Sequence, residues 1–141
     1  MNLEQEFLAA LNNDPTYSAL VTGKTWLVQL PQNPKFPAAT IQRVGTRPLY
    51  FHALPGYLAQ ASVGLARLKY KCWVKNDTSA GIISDQIGLA VIDVMRSFSA
   101  WGSPLTGSPS YVLNRTMGID PDTQPPMYQQ ILDLSFWYQD N

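Results

Sequence analysis

Apolar residues along this chain keep two periods, and the changes between them divide it into elements. In NLEQEFLAALNN, Leu3, Phe7, Leu8 and Leu11 recur at helical spacing. Asn2 can cap that helix, Glu4 and Glu6 suit the positive end of its dipole, and NNDP stops it. YSALVTG adds a second short helical piece before Gly23. The period then drops to two. TWLVQL and AATIQRVG read as strands, and ARLKYKCWVK (66–75) is the clearest of them. In it Ala66, Leu68, Tyr70, Cys72 and Val74 point one way, while Arg67, Lys69, Lys71, Trp73 and Lys75 point the other.

After the capping residues of NDTSAG the helical period returns for about twenty residues, through Phe98. Its core stripe is Ala80, Ile83, Ile87, Ala90, Val91, Val94 and Phe98. Ile82 and Leu89 fall about 130–150° from the centre of that stripe, beside Asp85, Asp93 and Arg96. They are either ordinary exposed apolar residues or contacts for a second packing partner. WGSPLTGSPS reads as a loop, YVLNRTMGI as a strand and DPDTQPP as a turn. The final YQQILDLSFWYQD sets Leu132, Leu134, Phe136 and Tyr138 against Ile131, Asp133, Ser135 and Trp137. Residues 46–64 keep no clean period and read as a long loop or an irregular hairpin. The order of elements predicts a single α+β domain over residues 1–141, a largely antiparallel sheet flanked by helices.

Between the first two strands lies LPQNPKFPA. Pro31, Pro34 and Pro37 fix φ and cannot donate to a ladder, so this link is extended and resists edge pairing. It is either a stiff connector or a rigid lip offered to a partner at little entropic cost.

Composition narrows the class. With 45% hydrophobic and 11% aromatic residues the chain can bury a core, but only 14% are charged, below the ~25% of an average soluble domain. That leaves more neutral surface than a free monomer needs, which favours an assembled protein. Net charge is zero, yet residues 1–75 hold eight Lys/Arg against three Asp/Glu, and residues 76–141 hold two against seven. Either the halves pair within the chain, or the subunit is dipolar and attracts copies of itself. One cysteine excludes an internal disulfide and a cysteine-rich zinc site. The opening MNLEQEF lacks the basic and apolar regions of a secretory leader, and no apolar run approaches the ~18 residues that span a bilayer. Synthesis and assembly in a cytoplasm are expected, with no membrane partner.

Catalytic chemistry has little to work with. The single histidine, His52, lies in the aperiodic stretch with no nucleophile motif beside it. Cys72 sits on an inward strand face, where a thiol is ordinarily inert. The acidic pair in DPD lacks calcium-loop spacing, and no glycine-rich phosphate loop follows a strand. No cofactor or metal is expected, and the chain reads as a non-enzyme. Arg67, Lys69, Lys71 and Lys75 could contact phosphates with Trp73 stacking a base, or they could be a solvated face with Trp73 covered by a neighbour. The pI near 6.5 is far from a basic footprint.

A short N-terminal helix, a strand leading into Leu30-Pro31-Gln32 and Phe36-Pro37-Ala38, a central strand before a long helix begun at DTSAG, and an aromatic end at Phe136–Tyr138 stand in this order. In that organisation the chain resembles the tail-completion or tail-terminator family of long-tailed bacteriophages. The match covers most of the chain and leaves out residues 46–64 and 99–127. The resemblance implies a non-enzymatic virion protein forming a hexameric ring at the head-proximal end of the tail. Such a ring stops polymerisation of the major tail tube protein and meets the head-side connector, and DNA passes through its lumen without tight binding. Another neck, connector or minor tail protein, or a small nucleic-acid-binding domain, are the alternatives. The residues expected at a subunit or partner interface are Pro31, Pro34, Pro37, Ile82, Leu89, Arg67, Lys69, Lys71, Trp73 and Lys75.

Overall fold

A computed structural model describes residues 3–49, 62–97, 111–123 and 125–140. Helix α1 (Leu3–Asn13) buries Leu3, Phe7 and Leu11, the one face that its spacing makes apolar. Asp14 ends it and caps the next: its carboxylate accepts the Tyr17 N–H at 2.9 Å, and Pro15 opens α2 (Pro15–Leu20) where a missing N–H costs nothing. The proposed cap of α1, Asn2, lies outside the described residues.

Five strands follow in the spatial order β1-β2-β3-β5-β4. They are β1 (Thr25–Leu27), β2 (Ala38–Leu49), β3 (Ser62–Lys75), β4 (Tyr111–Asp120) and β5 (Met127–Asp140). All neighbours are antiparallel except β1, which lies parallel to β2. The expected α+β class with a largely antiparallel sheet is what the structure shows. Helix α3 (Ala80–Ser97) crosses β3 and β5 on the face that α1 also covers. Phe98, the expected end of its stripe, is outside the described residues.

One boundary differs from expectation, and one open alternative is resolved. TWLVQL pairs only through Thr25, Trp26 and Leu27, because Val28 takes a φ of 66° and turns the chain away while its N–H still reaches the Ile41 carbonyl. Of the two readings of the aperiodic stretch 46–64, a long loop or an irregular hairpin, its described ends show the hairpin. Residues 46–49 continue β2 and 62–64 begin β3, with Leu49 opposite Val63, so its ends are the arms of a hairpin. Pro48 obscured the strand in the sequence; it lies beyond Ile41, the last residue of β2 that pairs with β1. The rest of the stretch, with His52, lies outside the described residues.

The alternation in β3 fixes which face is buried. Ala66, Leu68, Tyr70, Cys72 and Val74 are all inside, opposite Phe136, Leu134, Leu132, Gln130 and Tyr128 of β5. Phe7 meets Phe136 edge-to-face with centroids 5.0 Å apart, worth about 0.5–1.5 kcal/mol beyond area burial. Two phenols are buried there without being orphaned: the Tyr17 hydroxyl lies 2.8 Å from that of Tyr70 and 2.6 Å from Thr25 Oγ1. That chain of hydroxyls ties α2, β1 and β3 together. At the far end of α1, Glu4 holds Arg43 of β2 in an ion pair.

Burial disfavours the charged form of each ionisable group in this core. It pushes the Cys72 thiol up to about 12, partly offset by its bond with the Tyr70 hydroxyl. Tyr17 and Tyr70 are likewise raised above the ordinary phenol range, by burial first and then by their nearness to Cys72. Raised pKa values mean that the folded chain keeps protons which the unfolded chain loses. Stability from these groups is therefore whole below the unfolded values, about 8.5 for Cys and about 10 for Tyr, and is lost as pH rises through the folded ones. Urea unfolding should show stability declining above about pH 8.5, and native Cys72 should react with a thiol reagent roughly 100-fold or more slower than in denaturant. Fast labelling in the native state would contradict the placement of Cys72.

Candidate interaction surfaces

The outer face of the sheet carries the residues expected to be cationic, but the register changes their company. Lys69 stands opposite Asp133, Lys71 opposite Ile131, Arg67 opposite Ser135 and Lys75 opposite Met127. Trp73 is half-buried, and its indole N–H donates to Asp120 Oδ2 at 3.0 Å, reaching past β5 to β4. The stripe is thus a row of cations in which Lys69 faces one carboxylate from the second half of the chain and Trp73 binds another. Short residues on this face, Ala38, Thr40 and Ser135, are buried. The register places them beside Trp73, Lys71 and Arg67, whose longer side chains shield them.

At the other margin a polar cluster joins α3 to β4. Gln130, fully buried on the inner face of β5, donates to the Ser84 carbonyl at 3.0 Å. Its amide oxygen accepts from Arg115 of β4 at 3.0 and 3.2 Å, and the Arg115 guanidinium reaches Asp85 Oδ1 at 2.8 Å. Gly88 leaves the room: a Cβ there would lie 2.5 Å from Gln130 Oε1 and 2.6 Å from Arg115 Nη2. This cluster was not anticipated. Its signal was a glutamine at an inward position of an otherwise apolar alternation. Next to it Ile82 and Leu89 are 66% and 52% exposed, as their angle on the helix requires.

The proline link packs along the β1 edge. Gly23 N–H donates to the Pro37 carbonyl at 2.8 Å, Ala39 N–H to the Lys24 carbonyl at 3.1 Å, and the Trp26 indole to the Gly23 carbonyl at 2.8 Å. Pro31 and Pro34 line a shallow open depression with Lys24, Trp26 and Lys35. All three prolines are half-buried, so Gln32, Asn33 and Lys35 project instead. The Phe36–Pro37 peptide is cis. The ten residues expected at an interface therefore fall in three places: the β1 edge, the outer face of β3 and the flank of α3. Exposed Trp26, Leu27 and Val28 beside the first, and Leu113, Met117 and Ile119 of β4 near the third, were not among them. Among the described residues no three His, Cys, Asp or Glu side chains are grouped to hold a metal ion, and no helix is long and apolar enough to cross a membrane.

No family model matches the sequence, and no curated protein matches it. Among solved structures the chain is similar in fold to a chain from the virion of a native gene transfer agent particle. The TM-score is 0.58 at 11% identity, over 98% of this chain and 95% of that one. At that identity the likeness is one of fold, and it runs through nearly the whole of both chains.

Two glycines test the packing. Gly81→Ala, whose Cβ would meet only the Tyr128 hydroxyl at 4.0 Å, should stabilise by a few tenths to about 1 kcal/mol in urea unfolding. Gly88→Ala, in the same helix, should lose about 1–2 kcal/mol instead, because it displaces the Gln130 and Arg115 ends from their partners. At Gly23 a Cβ would lie 1.7 Å from the Lys35 carbonyl oxygen, so Gly23→Ala should cost about 3 kcal/mol or more by dislodging the proline link.

Proposed function

We propose that this chain is a structural protein of a phage-like virion and, within that class, the subunit of a hexameric ring that terminates a tail tube at its head-proximal end. The observation that carries the reading is the fold likeness to a virion chain over nearly the full length of both. The tail-terminator resemblance of the Leu30–Gln32 and Phe36–Ala38 segments and the aromatic end supplies the finer assignment. In this role the ring stops addition of the tail tube protein on one side and receives the head connector on the other. The work is done by surfaces rather than by a reacting group, and the reading is a non-enzymatic one.

The geometry of the outer face draws support away from a nucleic-acid-binding domain. A base-stacking indole should be free, whereas the Trp73 N–H is held by Asp120 and the ring is half-buried. Lys69 faces a carboxylate across the strand pair, which reduces the field it offers a phosphate.

Deleting the gene in its parent particle should give tails of uncontrolled length that lack heads, seen by electron microscopy. Headed particles with tails of normal length would refute the terminator role. The purified protein should bind duplex or single-stranded DNA weakly at physiological salt. Lys69→Gln with Lys71→Gln should keep the fold by circular dichroism and impair ring assembly or tail joining. Tight DNA binding with a steep salt slope, abolished by that pair of changes, would favour the nucleic-acid reading instead.

A further inference from the structure

The large apolar side chains that stand exposed among the described residues are distributed in two groups, at opposite edges of the sheet. One group is Trp26 and Leu27 on β1 and Val28 just after it, with Val44 in the bulge of β2 just beyond the end of β1. The other is Leu113, Met117 and Ile119 on β4, joined by Ile82 and Leu89 of α3. Those two helix residues stand three before and four after Asp85, which reaches Arg115 of β4, so they share the flank of α3 that adjoins this edge. The middle of the sheet exposes no such residue among those described.

The two groups also stand at the same height. Thr25, Ala39, Cys72, Gln130 and Met117 form one row straight across the five strands, so β1 is level with the centre of β4. Charge differs in sign between them. Lys24 and Lys35 are exposed around Trp26 and make no ion pair among the described residues. Asp120 and Asp122 follow Ile119 and likewise make no ion pair among the described residues; Asp120 accepts from the neutral Trp73 indole and from the Asp122 N–H. The charge asymmetry of the chain becomes an asymmetry in space, because β1, β2 and β3 come from residues 1–75 and β5 and β4 from residues 76–141.

Backbone strain singles out the first edge as well. Val28 is β-branched, has a φ of 66° and is 62% exposed. A conformation that glycine would adopt freely is taken here by a β-branched residue left largely in solvent.

From these observations we infer that the edges dock on each other between successive copies of this chain. The β4 edge and α3 flank of one subunit receive the β1 edge of the next, with Asp120 and Asp122 brought to Lys24 and Lys35. Contact is by side chains rather than by a shared ladder. β1 has only three residues, and left-handed φ values at Lys24 and Val28 bound it on both sides. The surfaces differ, so the interface is heterologous, and repetition leads to a ring or a filament rather than a twofold dimer. Twofold pairing of either edge with itself would leave the other bare. Closure into a ring rests on the terminator reading; the pairing of the edges does not.

Two variants separate the possibilities. Val28→Gly with Leu27→Ser disables the first edge while relieving the backbone at residue 28. Ile82→Gln with Ile119→Thr disables the second with residues suited to a helix and a strand. In sedimentation velocity over a range of concentrations, the wild-type protein should grow beyond a dimer. Each variant alone should remain monomeric with an unchanged circular dichroism spectrum. Their equimolar mixture should stop at the dimer, since one good edge survives on each partner. Wild-type protein that stays monomeric, a variant that assembles alone, or a mixture that stays monomeric or grows past the dimer would each overturn the inference. Failure of the terminator role would appear separately, as normal tails in the deletion particle with this mixing behaviour intact.

Discussion

The pairing of β3 with β5 is the constraint on which the other features of this molecule depend. Fourteen residues of each strand stand opposite one another without a break, from Ser62 against Asp140 to Lys75 against Met127. Both strands are interior to the sheet, and the helices cover one face of it. A slip by one residue would carry Lys69 and Lys71 into the core and expose Tyr70 and Cys72, a cost that no loop rearrangement could offset. With the register set, Tyr70 meets the Tyr17 hydroxyl, Gln130 comes under the Ser84 carbonyl and Lys69 stands across from Asp133. The first two contacts anchor α2 and α3 to the central pair, and the third lies within the pair itself.

The middle of the sheet is thereby well covered and its edges less so. Gly88 lets α3 settle against Gln130 and Arg115, over the central strands, and this leaves Met117 and Ile119 of β4 exposed. On the opposite side β1 is too short to cover β2, and the proline link occupies the space beside it without burying Trp26 or Val28. Bulges interrupt β2 and β4 between Arg43 and Gly45 and between Val112 and Asn114, which discourages indiscriminate ladder pairing at both margins. Low overall charge, which as composition alone marks only a tendency to associate, acquires in this arrangement two definite locations.

Element types were legible in the sequence wherever one periodicity ran uninterrupted. Leu3, Phe7 and Leu11 marked α1, the alternation from Ala66 to Val74 marked the buried face of β3, and the stripe from Ala80 to Val94 marked α3. Legibility failed where a local residue contradicts its strand. Pro48 left loop and hairpin undecided over residues 46–64, and Val28 ended β1 early through a backbone conformation that a β-branched residue rarely takes. Exposure of Ile82 and Leu89 followed from helix geometry, whereas the β4 group next to them did not, because an alternating strand does not reveal how far a helix will cover it.

By itself, then, the sequence determined the local states of the chain and the identity of most inward faces, since periodicity and side-chain chemistry act over a few residues. It also determined that positive charge precedes negative along the chain. Only the tertiary structure decided that this order becomes a direction across the sheet, that Trp73 binds Asp120, and that buried Gln130 and half-buried Arg115 share a polar cluster. Those outcomes follow from strand order and register, which join residues tens of positions apart and are set by the packing of the whole core.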